Sequence, residues 1–139
     1  MTKRFTLVIF LSFSFSLSAE TKVDVFSSQL TIPEGFILAP YSRPLEGTNF
    51  YRGKGEELEM IIISIEDDLF IHENLTSEPD TKVKCGLNIK QWLKSEKEKM
   101  FYSEIEKAGD MPKVKLNVIS PFGFGLSEQL IQSICAYEP

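Results

Sequence analysis

Leu58-Glu59-Met60-Ile61-Ile62-Ile63-Ser64-Ile65 is the stretch on which the fold turns. Successive side chains of an extended chain point to opposite faces, so Leu58, Met60 and Ile62 share one face and Ile61, Ile63 and Ile65 the other. Apolar residues on both faces read as a central strand covered from both sides. Such a run is also prone to β-aggregation. Glu56, Glu57 and Glu59 precede it and Glu66, Asp67 and Asp68 follow it, a bracket of charge that reads as gatekeeping rather than ligation.

Towards the N-terminus the pattern stays extended. Val23 and Val25, then Leu30 and Ile32, alternate with polar neighbours, with Ser27-Ser28 as a bend between them. Pro33-Glu34-Gly35 is a turn, since proline presets φ and glycine accepts a positive one. Phe36 to Ala39 and Asn49 to Arg52 are short strands, and Gly53-Lys54-Gly55-Glu56 is the hairpin loop that leads into Leu58. Towards the C-terminus, Asp67 to Lys82 is a polar surface loop.

Beyond it the period changes. Ile89, Trp92, Leu93, Met100, Phe101, Ile105 and Ala108 recur at helical spacing, Asn88 and Gln91 suit a capped start, and a helix from Asn88 to about Met100 is expected. An alternative pairs Phe101 to Glu106 as a hairpin with Lys113 to Ile119, setting Glu104 and Glu106 across from Lys113 and Lys115. Val114, Leu116 and Val118 alternate as a strand in either case. Leu126, Leu130, Ile131, Ile134 and Tyr137 fit a helical face, although Gln129 to Tyr137 also reads as a final strand. The expectation is an α+β domain, an antiparallel sheet of about four to six strands with one principal helix packed on one face.

Residues 1–19 have the layout of a secretory signal peptide: basic Lys3 and Arg4, an apolar run from Phe5 to Leu17, then small Ser18 and Ala19. The run is short of the roughly 20 apolar residues of a permanent span. Cleavage after Ser18 or Ala19 leaves one small domain, residues 20–139, exported to a periplasmic or extracellular space. Losing Lys3 and Arg4 takes the formal charge from -5 to -7. That charge disfavours nucleic acid and anionic lipid and favours a basic partner. Oxidising surroundings make a Cys85–Cys135 disulfide the default for the two cysteines.

Catalytic patterns are weak throughout. Cys85 with His72, the one histidine, lacks a group to orient the base. Asp67, Asp68, Glu73, Glu78 and Asp80 lack the ordered spacing of a calcium loop and read as a solvated face. Asn74-Leu75-Thr76 matches a glycosylation acceptor, a short motif of little specificity. No catalytic, metal or cofactor site is expected. Two segments suit partner binding instead. Phe122 and Phe124 flank a glycine in a loop after Pro121, and Tyr41 and Arg43 sit between Pro40 and Pro44. The expected function is that of an exported, non-catalytic protein binding another macromolecule, as an inhibitor or immunity protein does. The alternatives are a carrier of a small apolar ligand, for which the 12% aromatic content would line the pocket, or a hydrolase.

Overall fold

The computed structural model describes residues 20–39, 48–65, 78–93, 100–109 and 114–137. The signal-peptide segment, Tyr41, Arg43, His72 and most of the acidic loop lie outside the described residues.

The described residues form two sheets, one α-helix and a short 3-10 turn at Gly55–Glu57. Strands β1 (Thr21–Val25) and β2 (Ser28–Ile32) form a hairpin of their own. The principal sheet has seven antiparallel strands in the order β3-β4-β5-β9-β8-β7-β6. Its members are β3 (Ile37–Leu38), β4 (Thr48–Arg52), β5 (Glu59–Ser64), β6 (Asp80–Lys84), β7 (Leu87–Leu93), β8 (Phe101–Lys107) and β9 (Lys115–Ser120). The helix α1 spans Gly125–Ala136. The antiparallel α+β class thus holds, with a larger sheet than the four to six strands expected.

The helix expected over Asn88 to Met100 is a correction. Asn88–Leu93 belongs to β7, paired with β6 on one side and β8 on the other. Ile89 and Trp92 therefore point to opposite faces instead of sharing a helical stripe. The alternative hairpin is the one that forms, with Glu106 directly opposite Lys115. Asn117 rather than Lys113 stands opposite Glu104, and Lys115 Nζ reaches Glu104 Oε1 diagonally at 3.2 Å. Asp80–Lys82, read as loop, is strand. The helix comes from the last apolar segment, with Leu126, Leu130, Ile131 and Ile134 buried and Tyr137 more exposed.

β5 occupies an inner position between β4 and β9, as its apolar run requires. Its two faces are unequal: Ile61 is 0% exposed, whereas Met60 and Ile62 are half-buried. Ile61 lies opposite Phe50 and Val118, and the next row sets Ile63, Leu116, Ile105 and Ile89 side by side across four strands. On that face the α1 stripe and the β1–β2 residues Val25, Phe26, Leu30 and Ile32 complete one core. The hairpin is also bonded to the helix: Ser28 Oγ donates to Ile134 O at 2.9 Å, and Thr31 N–H donates to Ser133 Oγ at 3.0 Å. On the other face Ile37, Tyr51, Met60, Ile119, Tyr102 and Trp92 form a row across six strands. Trp92 and Tyr102 there have ring centroids 5.3 Å apart.

Tight turns set the register. Phe26 and Ser27, not Ser27-Ser28, form the β1–β2 loop with φ of 58° and 57°. Two left-handed residues suit the right-handed twist of a hairpin, though phenylalanine takes that conformation at a cost. Burial of the Phe26 ring in the core offsets it. Cys85 and Gly86 repeat the geometry between β6 and β7, with φ of 54° and 74°. The Cys85 side chain is bonded to Cys135 near the end of α1, with Cα atoms 5.6 Å apart. At Gly53, φ is 81° and a Cβ would stand 2.5 Å from the Glu57 carbonyl oxygen, so this hairpin loop requires glycine.

Candidate functional site

The central strand β9 runs into a short tip, Pro121-Phe122-Gly123-Phe124, before α1 begins at Gly125. Phe122 is 67% exposed. Phe124 turns back, and its ring meets Phe101 edge-on at 5.1 Å. Gly123, with φ of 122°, lets the two rings part in different directions.

Both ends of the tip are held. The Phe122 N–H donates to Ser120 Oγ at 3.2 Å, and that hydroxyl donates to Glu59 Oε2 at 2.9 Å. On the far side the Phe124 carbonyl accepts from Ser127 Oγ at 2.8 Å and from the Glu128 N–H at 3.0 Å. Phe124 stands at the helix N-cap without a capping side chain, so the Ser127 hydroxyl helps to secure that end from inside the first turn.

Glu59 is the hub of the brace. It is 5% exposed. Its Oε1 accepts from Arg52 Nε at 3.0 Å and from Nη2 at 2.9 Å. Arg52 Nη1 donates onward to the Glu34 carbonyl at 2.9 Å, and the guanidinium lies 4.4 Å above the Phe36 ring centre. Both carboxylate oxygens are thus occupied, as a buried charge requires. Glu59 thus departs from the acidic bracket in which the sequence sets it, being buried and paired, while Glu56 and Glu57 are exposed. Sequence reasoning missed the brace, although one signal was present: Arg52 and Glu59 are opposite charges closing a glycine-containing hairpin loop, and the two are cross-strand partners.

A second polar cluster lies on the sheet face away from α1. The Tyr102 hydroxyl donates to Asn117 Oδ1, and Asn117 is 0% exposed. Burial, followed by the charge of Glu104, pushes the Tyr102 phenol well above its ordinary range. At the surface the Lys82 ammonium pairs with Glu128 and holds that carboxyl below its usual range.

Among the described residues, no group of three or more His, Cys, Asp or Glu side chains is placed to hold a metal ion, and no helix is long and apolar enough to cross a membrane. Leu30, Ile61, Leu116, Leu130 and Ile131, all fully buried, belong to the core shared by α1, the β1–β2 hairpin and the sheet. Comparison with protein-family models, curated proteins and solved structures finds no match to this chain.

Proposed function

We propose that this protein is exported and acts without catalysis, by binding a macromolecular partner through Phe122 at the end of the central strand. The observation that carries the reading is a large ring, 67% exposed, on a backbone held from both sides. An exposed aromatic on a fixed support loses little freedom when it enters a pocket, and such residues dominate binding energetics. The formal charge of -7 after residue 19 favours a partner with a basic rim, and that complementarity acts mainly on the association rate. The roles of inhibitor or immunity protein fit this mode, with Phe122 as the anchor.

The test begins with the disulfide-bonded chain from residue 20 onward, used to capture a partner from an extract of the envelope or culture medium. Phe122→Ala is then compared with the parent protein. Because the ring is exposed, the variant should melt like the parent while affinity falls by roughly thirtyfold or more. Undiminished affinity would refute the tip as the binding site. Export is tested separately, by fractionating cells that express the full chain and measuring the N-terminal mass of the product. A mature chain starting after Ser18 or Ala19 is the expected result, and an uncleaved cytoplasmic chain would overturn it.

A further inference from the structure

We infer that β6 is an interface between two copies of this protein, paired antiparallel about Thr81. Among the described residues β6 is the last strand of the sheet and has a neighbour, β7, on one side only. All five residues from Asp80 to Lys84 are exposed. An exposed strand edge carries unpaired N–H and C=O groups that template a further strand.

The turn tells which groups face outward. Cys85 and Gly86 form a two-residue left-handed turn, whose flanking residues Lys84 and Leu87 make the closing hydrogen-bonded pair. Hydrogen-bonded and non-bonded pairs alternate along an antiparallel ladder. Lys84, Lys82 and Asp80 thus bond inward to β7, and the backbone groups of Thr81 and Val83 point to the open edge.

The charges then select the occupant and its register. Glu78 and Asp80 precede Thr81, and Lys82 and Lys84 follow it at mirror spacing. With a two-fold axis at Thr81, Lys84 faces Glu78 of the second copy, and Lys82, which pairs with Glu128 within its own copy, also faces Asp80 of the second copy. Symmetry doubles both contacts, and every charge on the edge meets its opposite. Registers centred on Lys82 or Val83 set lysine against lysine, which is unfavourable. The Thr81 register also places Val83, 72% exposed, against Pro79 of the second copy on the other face. In the backbone, each Thr81 N–H donates to the other Thr81 carbonyl, and each Val83 N–H donates to a Pro79 carbonyl; proline has no N–H to return that bond, so each Val83 carbonyl stays solvated. The result is a closed, two-fold dimer in which one sheet continues through both copies. This inference stands apart from the Phe122 reading, since the tip leaves the central strand and β6 is the flank.

Sedimentation equilibrium of the disulfide-bonded chain from residue 20, from low micromolar to near-millimolar concentration, is the direct test. Mass should double with concentration, and rising salt should weaken the association because the pairs are exposed. Thr81→Pro removes the outward N–H without touching the β6–β7 ladder, and should weaken the dimer by at least about tenfold. The decisive arm mixes two variants, Lys82→Glu with Lys84→Glu in one chain and Glu78→Lys with Asp80→Lys in the other. Each alone should be monomeric and the mixture should form a heterodimer, with circular dichroism confirming that both are folded. A monomer at every concentration, or a dimer indifferent to these changes, would overturn the inference.

Discussion

The Ser120 hydroxyl donates to the buried Glu59 carboxylate at 2.9 Å and, on its other side, receives the Phe122 N–H at 3.2 Å. One small side chain therefore connects an ion pair of the sheet to the conformation of the exposed tip. Ser120→Ala should cost about 1–2 kcal/mol, since Glu59 loses one hydrogen bond while keeping Arg52. Urea melts give the stability change. The same variant should weaken partner binding although Ser120 itself is buried, because the Phe122 end of the tip is no longer held. A variant that melts and binds like the parent would show that the brace is dispensable.

The Cys85–Cys135 bridge spans 50 residues. The chain-entropy account assigns roughly 4 kcal/mol to a loop of that length. Cys85→Ser with Cys135→Ser should lower stability by about that amount, measured by denaturant unfolding against the oxidised parent. A loss below about 1 kcal/mol would mean that the β6–β7 turn and the end of α1 are held together by packing alone.

Neighbouring isoleucines on β5 should respond differently. Ile61→Ala should cost about 2–5 kcal/mol because a fully enclosed side chain leaves a cavity. Ile62→Ala, at a half-buried position, should cost clearly less. Equal losses in chemical melts would contradict the assignment of faces.

Tyr102 supplies a prediction for alkaline pH. Its phenol is raised above the ordinary value near 10, by burial first and by Glu104 second. The unfolded chain therefore releases this proton before the folded one does. Stability from this group is complete below pH 10 and declines as pH rises beyond it. Absorbance titration should reveal one phenol that ionises only as the protein unfolds. Tyr102→Phe should remove that step, and at neutral pH should cost about 1–3 kcal/mol by leaving the buried Asn117 carbonyl without this donor.

The strands of the first half are legible because their apolar residues alternate and two of their turns carry proline or glycine, at Pro33-Glu34-Gly35 and Gly53-Lys54-Gly55, whereas the Phe26-Ser27 turn carries neither. β7 was misread for a physical reason. Ile89, Trp92 and Leu93 fit helical spacing and equally fit a strand with apolar residues on both faces, and only pairing with β6 and β8 separates the two. That pairing depends on the left-handed Cys85-Gly86 turn, which cysteine hides because it is an unusual residue at positive φ. At the tip, the sequence marked the two aromatics but not their opposite fates. Phe101, which packs against Phe124, lies on β8, a segment whose apolar residues suit both a helix and a hairpin.

The strand order has a consequence for how the chain assembles. β3, β4 and β5 are neighbours in sequence order, as are β6, β7, β8 and β9, so the sheet consists of two meanders joined along the single seam β5–β9. Both cysteines and α1 lie in the second meander or after it, so the disulfide belongs wholly to the later half of the chain. Local hairpins close quickly and distant pairings slowly. Oxidation can therefore lock the later half while the earlier strands still wait. The β5–β9 seam is then the last pairing of the sheet to form, and acidic Glu56 and Glu57 stand beside the apolar β5 during that interval. Gatekeeping at this position protects a stage of assembly, whereas in the finished sheet β9 already covers the edge of β5.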